Sequence, residues 1–117
     1  MQYMLMCCFD ETQWAKLSDA ERERIMGEYV RLIHELKTDD RLLSGAKLND
    51  CASAVTVRVK NGRPSITDGP FAETREQLGG YHVVECKDRD EAISIAQRIP
   101  TLPAGGTMEV RPMLWME

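Results

Sequence analysis

Carboxylates concentrate in one short segment of this sequence, residues 67–81, which we call the polar loop. It contains Asp68, Glu73 and Glu76 together with Arg75. A carboxylate placed ahead of a stiff Gly-Pro pair can be held at the edge of a cleft, where it removes a proton from a substrate or accepts hydrogen bonds from a ligand. Asp68 is therefore the first candidate catalytic and ligand-binding residue. The alternative is an Asx turn, in which its carboxylate bonds nearby backbone N–H groups.

Glu73 and Glu76 form a second candidate group because they are three positions apart. On a short helical turn, residues at this spacing share one face. A pair of carboxylates there would bind a ligand, hold a cation or carry out acid–base chemistry. Arg75 between them favours plain ion pairing, so a solvated charged turn is the alternative.

Aromatic side chains supply two further candidates, Phe71 in the polar loop and Tyr29 upstream. Phe71 fits either a core anchor or a stacking surface for a ligand. Tyr29 lies on the apolar stripe of a predicted helix, so its ring belongs in the core and its hydroxyl needs a hydrogen-bond partner. If that helix packs near Asp68, the partner would be a ligand. We therefore include both residues among the predicted ligand-binding positions.

The histidines and cysteines give no recognisable motif. His34 and His82 are the two histidines, and we interpret both as surface or dimer-interface residues. The four cysteines lack the spacing of metal ligands, and small apolar filling explains them. No Gly-rich phosphate-binding loop is present, so no cofactor and no metal are expected.

Two helices are expected to position these residues. Ser18 and Glu21 form a capping box, and apolar residues then recur at helical spacing, which predicts a helix over 19–38. A second helix is predicted to begin after Asp88 and to end before Pro100.

Six strands are predicted around these helices. The two that flank the turn Asn61-Gly62 form a hairpin, because both turn residues favour positive φ. The predicted strands cover residues 4–8, 41–48, 55–60, 63–67, 80–85 and 107–115.

The order β-α-β, hairpin, β-α-β predicts one domain over residues 1–117. Its fold class is α+β: a ferredoxin-like antiparallel sheet with two helices on one face and an inserted β-hairpin. The uncovered face of such a sheet is apolar here, and sheet-to-sheet packing in a homodimer would bury it.

Composition narrows the class of protein. The net charge of −4 argues against a nucleic-acid partner, which would require a basic face. No apolar run approaches the roughly 20 residues that span a bilayer. The apolar start of the chain has no basic leader and reads as a strand, so a cytoplasmic protein is expected.

The sequence resembles the DGPF proteins, a branch of the YCII-related family. The resemblance is carried by Asp68-Gly69-Pro70-Phe71, by the rest of the polar loop, by Val57-Arg58-Val59 with the turn that follows, and by residues 107–112. It implies a homodimer of the dimeric α/β-barrel type with a cleft between sheet and helices. Because such proteins are often encoded beside sigma factors, it also implies an association with a sigma-factor system.

Enzymatic relatives in this family use a His–Asp pair, with the His on the first helix and the Asp near the end of the second. Tyr29 falls at the position of that His, and Ile99 falls roughly at that of the Asp. The pair is therefore not matched. This departure favours binding of a small molecule over catalysis. A small cofactor-free lyase or hydrolase with Asp68 or a nearby Glu as general base is the first alternative, and a structural or protein-interaction module is the second.

Overall fold

A computed structural model describes residues 1–115 of the chain. Six strands and three α-helices follow one another in the order β1 (Gln2–Phe9), α1 (Glu11–Lys16), α2 (Asp19–Thr38), β2 (Leu42–Lys47), β3 (Val55–Lys60), β4 (Arg63–Asp68), β5 (Gln77–Glu85), α3 (Arg89–Ala96) and β6 (Thr107–Pro112). A short 3-10 helix, Cys51–Ser53, lies between β2 and β3.

Four of the strands form one antiparallel sheet in the order β2-β5-β1-β6. Helices α2 and α3 pack on one face of it, and together they bury a single apolar core, which includes Leu5, Leu36, Val84 and Ile95. Strands β3 and β4 make a separate two-stranded sheet. This arrangement is an α+β ferredoxin-like fold with an inserted hairpin, as the order of the predicted elements indicated.

Helix α2 has the bounds that the sequence predicts. The Ser18 side chain accepts a hydrogen bond from the Glu21 backbone N–H and its hydroxyl donates to the Glu21 carboxylate, so the capping box is formed. The Asp88 side chain caps α3 in the same way by accepting from the Glu91 N–H. Both predicted helices are therefore confirmed. None of the helices in residues 1–115 has the length and hydropathy needed to cross a membrane.

The hairpin turns at Asn61 and Gly62, whose φ angles are 52° and 76°. A turn with two positive φ values matches the twist of the strands beside it, which explains the tight connection. In the register, Val57 lies opposite Ile66 and Val59 lies opposite Pro64. We call the hairpin, residues 55–68, the arm, and the rest of the described chain the body.

Three local features differ most from the prediction. Helix α1 was not expected, since six residues carry too little periodicity to reveal a helix. Strand β5 begins at Gln77 and not at Gly80, because a bulge at Gly79 lets its pairing with β1 continue. Strand β6 ends at Pro112 and not at Trp115, because Pro112 lies opposite Tyr3, almost at the beginning of β1.

Candidate functional site

Three polar side chains meet between the sheet and α2. The Tyr29 hydroxyl is hydrogen-bonded to Nε2 of His82 and lies 3.3 Å from Sγ of Cys7. Tyr29 comes from α2, His82 from β5 and Cys7 from β1. We call these three residues the Tyr29 cluster.

Strand alternation directs two members of the cluster toward the helices. Cys7 follows Tyr3 and Leu5 on the core face of β1, and His82 precedes Val84 on the core face of β5. Strands β1 and β5 are neighbours, with Leu5 opposite His82 in the register. Topology therefore brings together groups that are 53 residues apart in sequence.

The Tyr29 hydroxyl has one proton to donate, so the cluster has two hydrogen-bonding arrangements. In the first, the hydroxyl donates to Nε2 of His82 and accepts from the Cys7 thiol. In the second, Nε2–H of His82 donates to the hydroxyl, which in turn donates to Cys7. In both arrangements Nδ1 of His82 points away from the hydroxyl and takes no part.

Burial keeps the cluster uncharged near neutral pH. It lowers the pKa of His82, so the imidazole is neutral at pH 7. It also raises the pKa of the Tyr29 phenol, and the hydrogen bond with Cys7 raises it further. The pKa of Cys7 is raised by burial, which outweighs the lowering effect of its hydrogen bond with Tyr29. The cluster therefore offers neutral donors and acceptors.

Nδ1 of His82 is buried and has no hydrogen-bond partner within the described residues. A buried polar atom left in this state costs about 1–3 kcal/mol. It lies against Gly45 of β2, which pairs with His82 in the register. A Cβ added at Gly45 would come within 2.7 Å of Nδ1, so only glycine leaves room for this ring.

A shallow groove of about 290 Å³ runs along the same helix, and the Tyr29 ring forms part of its wall. We call it the α2 groove. Its apolar wall comes from Met26, Val30 and Ile33, and its polar end from His34 and Lys37. Tyr29 thus links an accessible groove to the buried hydrogen bonds of the cluster.

The polar loop lines a second cleft, of about 400 Å³, at the beginning of α1. Its lining residues are Asp10, Glu11, Thr12, Gln13, Cys51, Thr74, Arg75 and Gln77. The polar groups here largely satisfy one another. Glu11 accepts hydrogen bonds from the backbone N–H of Cys51 at 2.9 Å and from its thiol at 3.2 Å. The hydrogen bond to Glu11 raises the pKa of Cys51, so the thiol stays protonated.

Gln77 holds the polar loop in shape. Its amide donates to the carbonyl oxygens of Ala72 and Thr74, at 3.0 and 2.9 Å. In this conformation residues 73–76 form no helical turn, so Glu73 and Glu76 do not share the face that such a turn would give them.

The predicted site residues are scattered over the described structure. Asp68 ends β4, where its backbone pairs with Val55, and its exposed side chain makes no hydrogen bond or ion pair within residues 1–115. Phe71 is 80% exposed, so it is not a core anchor in the single chain. Glu73 is exposed, and Glu76 accepts a hydrogen bond from the Thr107 hydroxyl at 2.6 Å. No hydrogen bond or ion pair of the described residues joins these four positions to Tyr29.

His82 is the residue whose place the sequence interpretation misjudged. It was expected at the surface or at a dimer interface, but its ring lies under α2 beside Tyr29, with ring centroids 5.5 Å apart. Its position two residues before Val84 on one strand was the available signal, because alternation gives both side chains the same face. Within residues 1–115 no group of three or more His, Cys, Asp or Glu side chains is arranged to hold a metal ion.

The strand order β2-β5-β1-β6, with α2 and α3 on one face, defines a small ferredoxin-like α+β domain. The profile of the YCII-related domain family matches residues 1–117, and the chain belongs to this family. This assignment confirms the resemblance inferred from the polar loop.

Two comparisons with individual proteins accompany the family match. An uncharacterized protein of Rhizobium meliloti (strain 1021) is 34% identical over 114 residues, which cover 97% of this chain and 92% of the relative. A solved structure of 5-chloro-2-hydroxyhydroquinone dehydrochlorinase from Burkholderia phenoliruptrix AC1100, in complex with 2,5-dihydroxybenzoquinone, aligns with a TM-score of 0.48 and 14% identity. The alignment covers 97% of this chain and 93% of the other.

Proposed function

We propose that this protein binds a small organic molecule in the α2 groove, with the Tyr29 cluster as its polar anchor. The observation that supports this most directly is the buried Nδ1 of His82. Folding alone would favour an apolar side chain at this position, because the orphan nitrogen destabilises the native state. Polar groups that are kept buried at such a cost, with shifted pKa values, concentrate at functional sites.

The groove walls indicate what kind of molecule would fit. Met26, Val30 and Ile33 favour an apolar body, and Lys37 at the far end favours an anionic or hydrogen-bond-accepting group. Lys37 is eight residues beyond Tyr29, which corresponds to about 12 Å along the helix. A small organic acid or phenol with an apolar ring or chain meets both conditions.

We also propose that the protein acts as a homodimer through sheet-to-sheet packing. Alternation sends the half-buried side chains of Met4, Met6 and Tyr81 to the sheet face opposite α2 and α3. Pairing two such faces would remove this apolar surface from water. A regulatory role beside a sigma factor stays a prediction of the family resemblance.

A small acid–base enzyme is the second candidate function, and the neutral His82 favours it. An imidazole that is neutral at pH 7 can accept a proton at one nitrogen while it donates from the other. A ligand held at the Tyr29 hydroxyl would then exchange a proton with Nε2 of His82 through that hydroxyl. The prediction of Asp68 or a nearby Glu as the base belongs to this same candidate.

A ligand screen tests the binding proposal. Thermal unfolding is measured with a panel of small aromatic and aliphatic carboxylic acids and phenols. A ligand at 100 times its Kd stabilises the native state by about 2.7 kcal/mol, which gives a clear upward shift of Tm. Tyr29→Phe removes the hydroxyl and is expected to weaken binding at least tenfold.

Tyr3→Phe is the matched control because Tyr3 faces the same core from β1 and does not line the groove. It should bind like the wild type. Equal binding by Tyr29→Phe, or a panel without any stabilising compound, contradicts the proposal. Conversion of a bound compound, followed by NMR and abolished by His82→Gln, would favour the enzyme over the binding protein.

A further inference from the structure

The α2 groove opens on the side of α2 that lies away from α3. Helix α2 contacts β2, whereas α3 contacts β1 and β6, so the two helices lie over opposite halves of the sheet. Glu35 of α2 forms an ion pair with Arg98, which follows α3, and this marks the side of α2 that faces α3. Ile33 of the groove is two positions before Glu35, about 200° around the helix, so the groove faces the other way. It therefore opens over β2, an edge strand of the sheet.

Strand β2 runs back beneath α2, so its far end can be placed along the groove. The Arg41 backbone N–H donates to the carbonyl oxygen of Leu36 at 2.9 Å, which fixes the beginning of β2 at the end of the helix. From there to Lys47 the strand covers about 16 Å, at about 3.3 Å per residue. The same length corresponds to about 11 residues of α-helix, which leads from Lys37 back to Met26. Lys47 therefore lies level with Met26, at the end of the groove opposite Lys37.

Lys47 also shares a row of the sheet with Cys7 of the Tyr29 cluster. Both residues lie opposite Gly80 in the register, one on each side of β5, so their side chains point to the helix face. Neighbouring strands are about 4.8 Å apart, which places the two Cα atoms about 10 Å apart, within reach of an extended lysine side chain. Gly80 has no side chain to separate them, and a Cβ there would lie 2.9 Å from the carbonyl oxygen of Ala46. Glycine at this position thus keeps β2 and Lys47 close to the cluster.

Lys47 brings a positive charge to a cluster that is itself uncharged. Its side chain is exposed and has no ion-pair partner among residues 1–115. Burial has the largest effect on the pKa of Cys7 and raises it, while the charge of Lys47 lowers it, so the ammonium group lies within electrostatic range of the thiol. The Tyr29 hydroxyl alone can hydrogen-bond an alcohol, a phenol or a carboxylate. A nearby ammonium group favours the carboxylate.

We infer that Lys47 is a specificity-determining residue of this site, where its ammonium group pairs with the acidic group of a ligand held at the Tyr29 hydroxyl. The inference rests on the proposed function and narrows its ligand class from acids and phenols to organic anions, carboxylates above all. The acidic group lies between Lys47 and Tyr29, and the apolar body follows Val30 and Ile33. Lys37 at the other end would accept a second polar group, so an elongated acid fits best.

Octanoate and 1-octanol form a matched pair of ligands for the test, because they have the same chain length and differ in the charged group. Benzoate and benzyl alcohol repeat the comparison with a ring. Dissociation constants are measured by isothermal titration calorimetry for the wild type, Lys47→Gln and Lys47→Arg, with circular dichroism to verify folding. The wild type should bind each acid about tenfold or more tightly than its alcohol, as expected for a hydrogen bond to a charged group. Lys47→Gln should reduce this preference to less than about threefold, and Lys47→Arg should keep it.

Lys60→Gln is the control variant. It removes the same charge from another exposed lysine, at the end of β3, which does not line the groove. A change in net charge alone would alter acid binding equally in Lys60→Gln and Lys47→Gln. We expect Lys60→Gln to keep the wild-type preference for the acids.

The outcomes separate this inference from the proposed function. If Tyr29→Phe weakens binding but the preference for the acids survives Lys47→Gln, the inference fails and the proposed function stands. The same conclusion follows if the wild type binds acid and alcohol equally well. Binding that depends on Lys47 and not on Tyr29 overturns both, because the acid then lies away from the cluster. If the wild type binds no member of either pair, both fail as well.

Discussion

Valine occurs in strands of both the arm and the body, yet it is exposed in one region and buried in the other. In the body, Val84 on β5 is completely buried. In the arm, Val57 on β3 is mostly exposed. The residue type and the strand conformation are the same, so neither explains the difference.

The difference lies in what covers each sheet. Helices α2 and α3 lie over the body sheet and bury its core face, whereas the arm is a two-stranded sheet of its own. Alternation therefore predicts that a strand exists and which side chains share a face. It does not predict whether the apolar face is covered by the same chain.

The largest expected effect is on the free energy of unfolding when an isoleucine is truncated to alanine, once in the body and once in the arm. Ile95 of α3 is 2% exposed, and Ile95→Ala should lower the free energy of unfolding by about 2–5 kcal/mol, because it leaves a cavity in the core. Ile66→Ala in the arm should cost less than about 0.5 kcal/mol in the monomer. Urea denaturation at low protein concentration measures both.

If both variants lost the same free energy of unfolding, Ile66 would be as buried in the monomer as Ile95, and the difference between arm and body would be contradicted.

A glycine substitution in each region is expected to have the next largest effect. Gly45→Ala places a methyl group 2.7 Å from Nδ1 of His82 and 3.1 Å from a backbone oxygen, and overpacking of this kind costs about 1–3 kcal/mol. The displaced ring should also weaken ligand binding. Gly62→Ala in the arm meets no atom within 4 Å and is strained only by its φ of 76°.

Gly27→Ala is the control, because its added methyl lies in a helix, 3.8 Å from the Arg31 guanidinium, and should stabilise α2 by about 0.5–1 kcal/mol. Thermal unfolding ranks the stability of the three glycine variants, and ligand titration shows which of them also binds ligand more weakly. If Gly45→Ala binds ligand like the wild type, then the position of His82 does not control the site.

The smallest effect is expected in the pH dependence of the body. Burial lowers the folded-state pKa of His82 below its ordinary value of 6.5, so the unfolded chain binds the proton more readily. The contribution of His82 to stability is therefore complete above pH 6.5 and is lost as the pH falls from 6.5 through the lower folded-state pKa.

Denaturation at pH 7.5 and at successively lower pH values measures this loss. His82→Gln cannot titrate at this position and should lose less stability on acidification than the wild type. Identical acid profiles for the wild type and His82→Gln would contradict the lowered pKa.

The local signals in this sequence were enough to predict most of the fold. The capping box at Ser18 and the positive φ values at Asn61 and Gly62 depend on interactions within a few residues, so they can be read directly. The pair Gly79-Gly80 permits a bulge, but the register of the bulge depends on pairing with β1, which is distant in sequence.

The candidate site was only half predictable. Tyr29 was identified because a phenol on an apolar stripe needs a partner for its hydroxyl. That partner, His82, is separated from it by 53 residues and meets it only through the strand order of the sheet. The many carboxylates of the polar loop made it the obvious candidate in the sequence. The partly buried polar contacts instead join Tyr29 to two neutral groups, the Cys7 thiol and the His82 imidazole.

Pro64, which lies opposite Val59 in the arm, has a consequence for solubility. A two-stranded ribbon exposes unpaired backbone groups along both outer edges, and such edges recruit further strands into aggregates. Proline has no N–H to donate, and the basic side chains of Arg58, Lys60 and Arg63 repel a second ribbon. The arm can therefore carry an apolar face through synthesis and folding without templating fibrils.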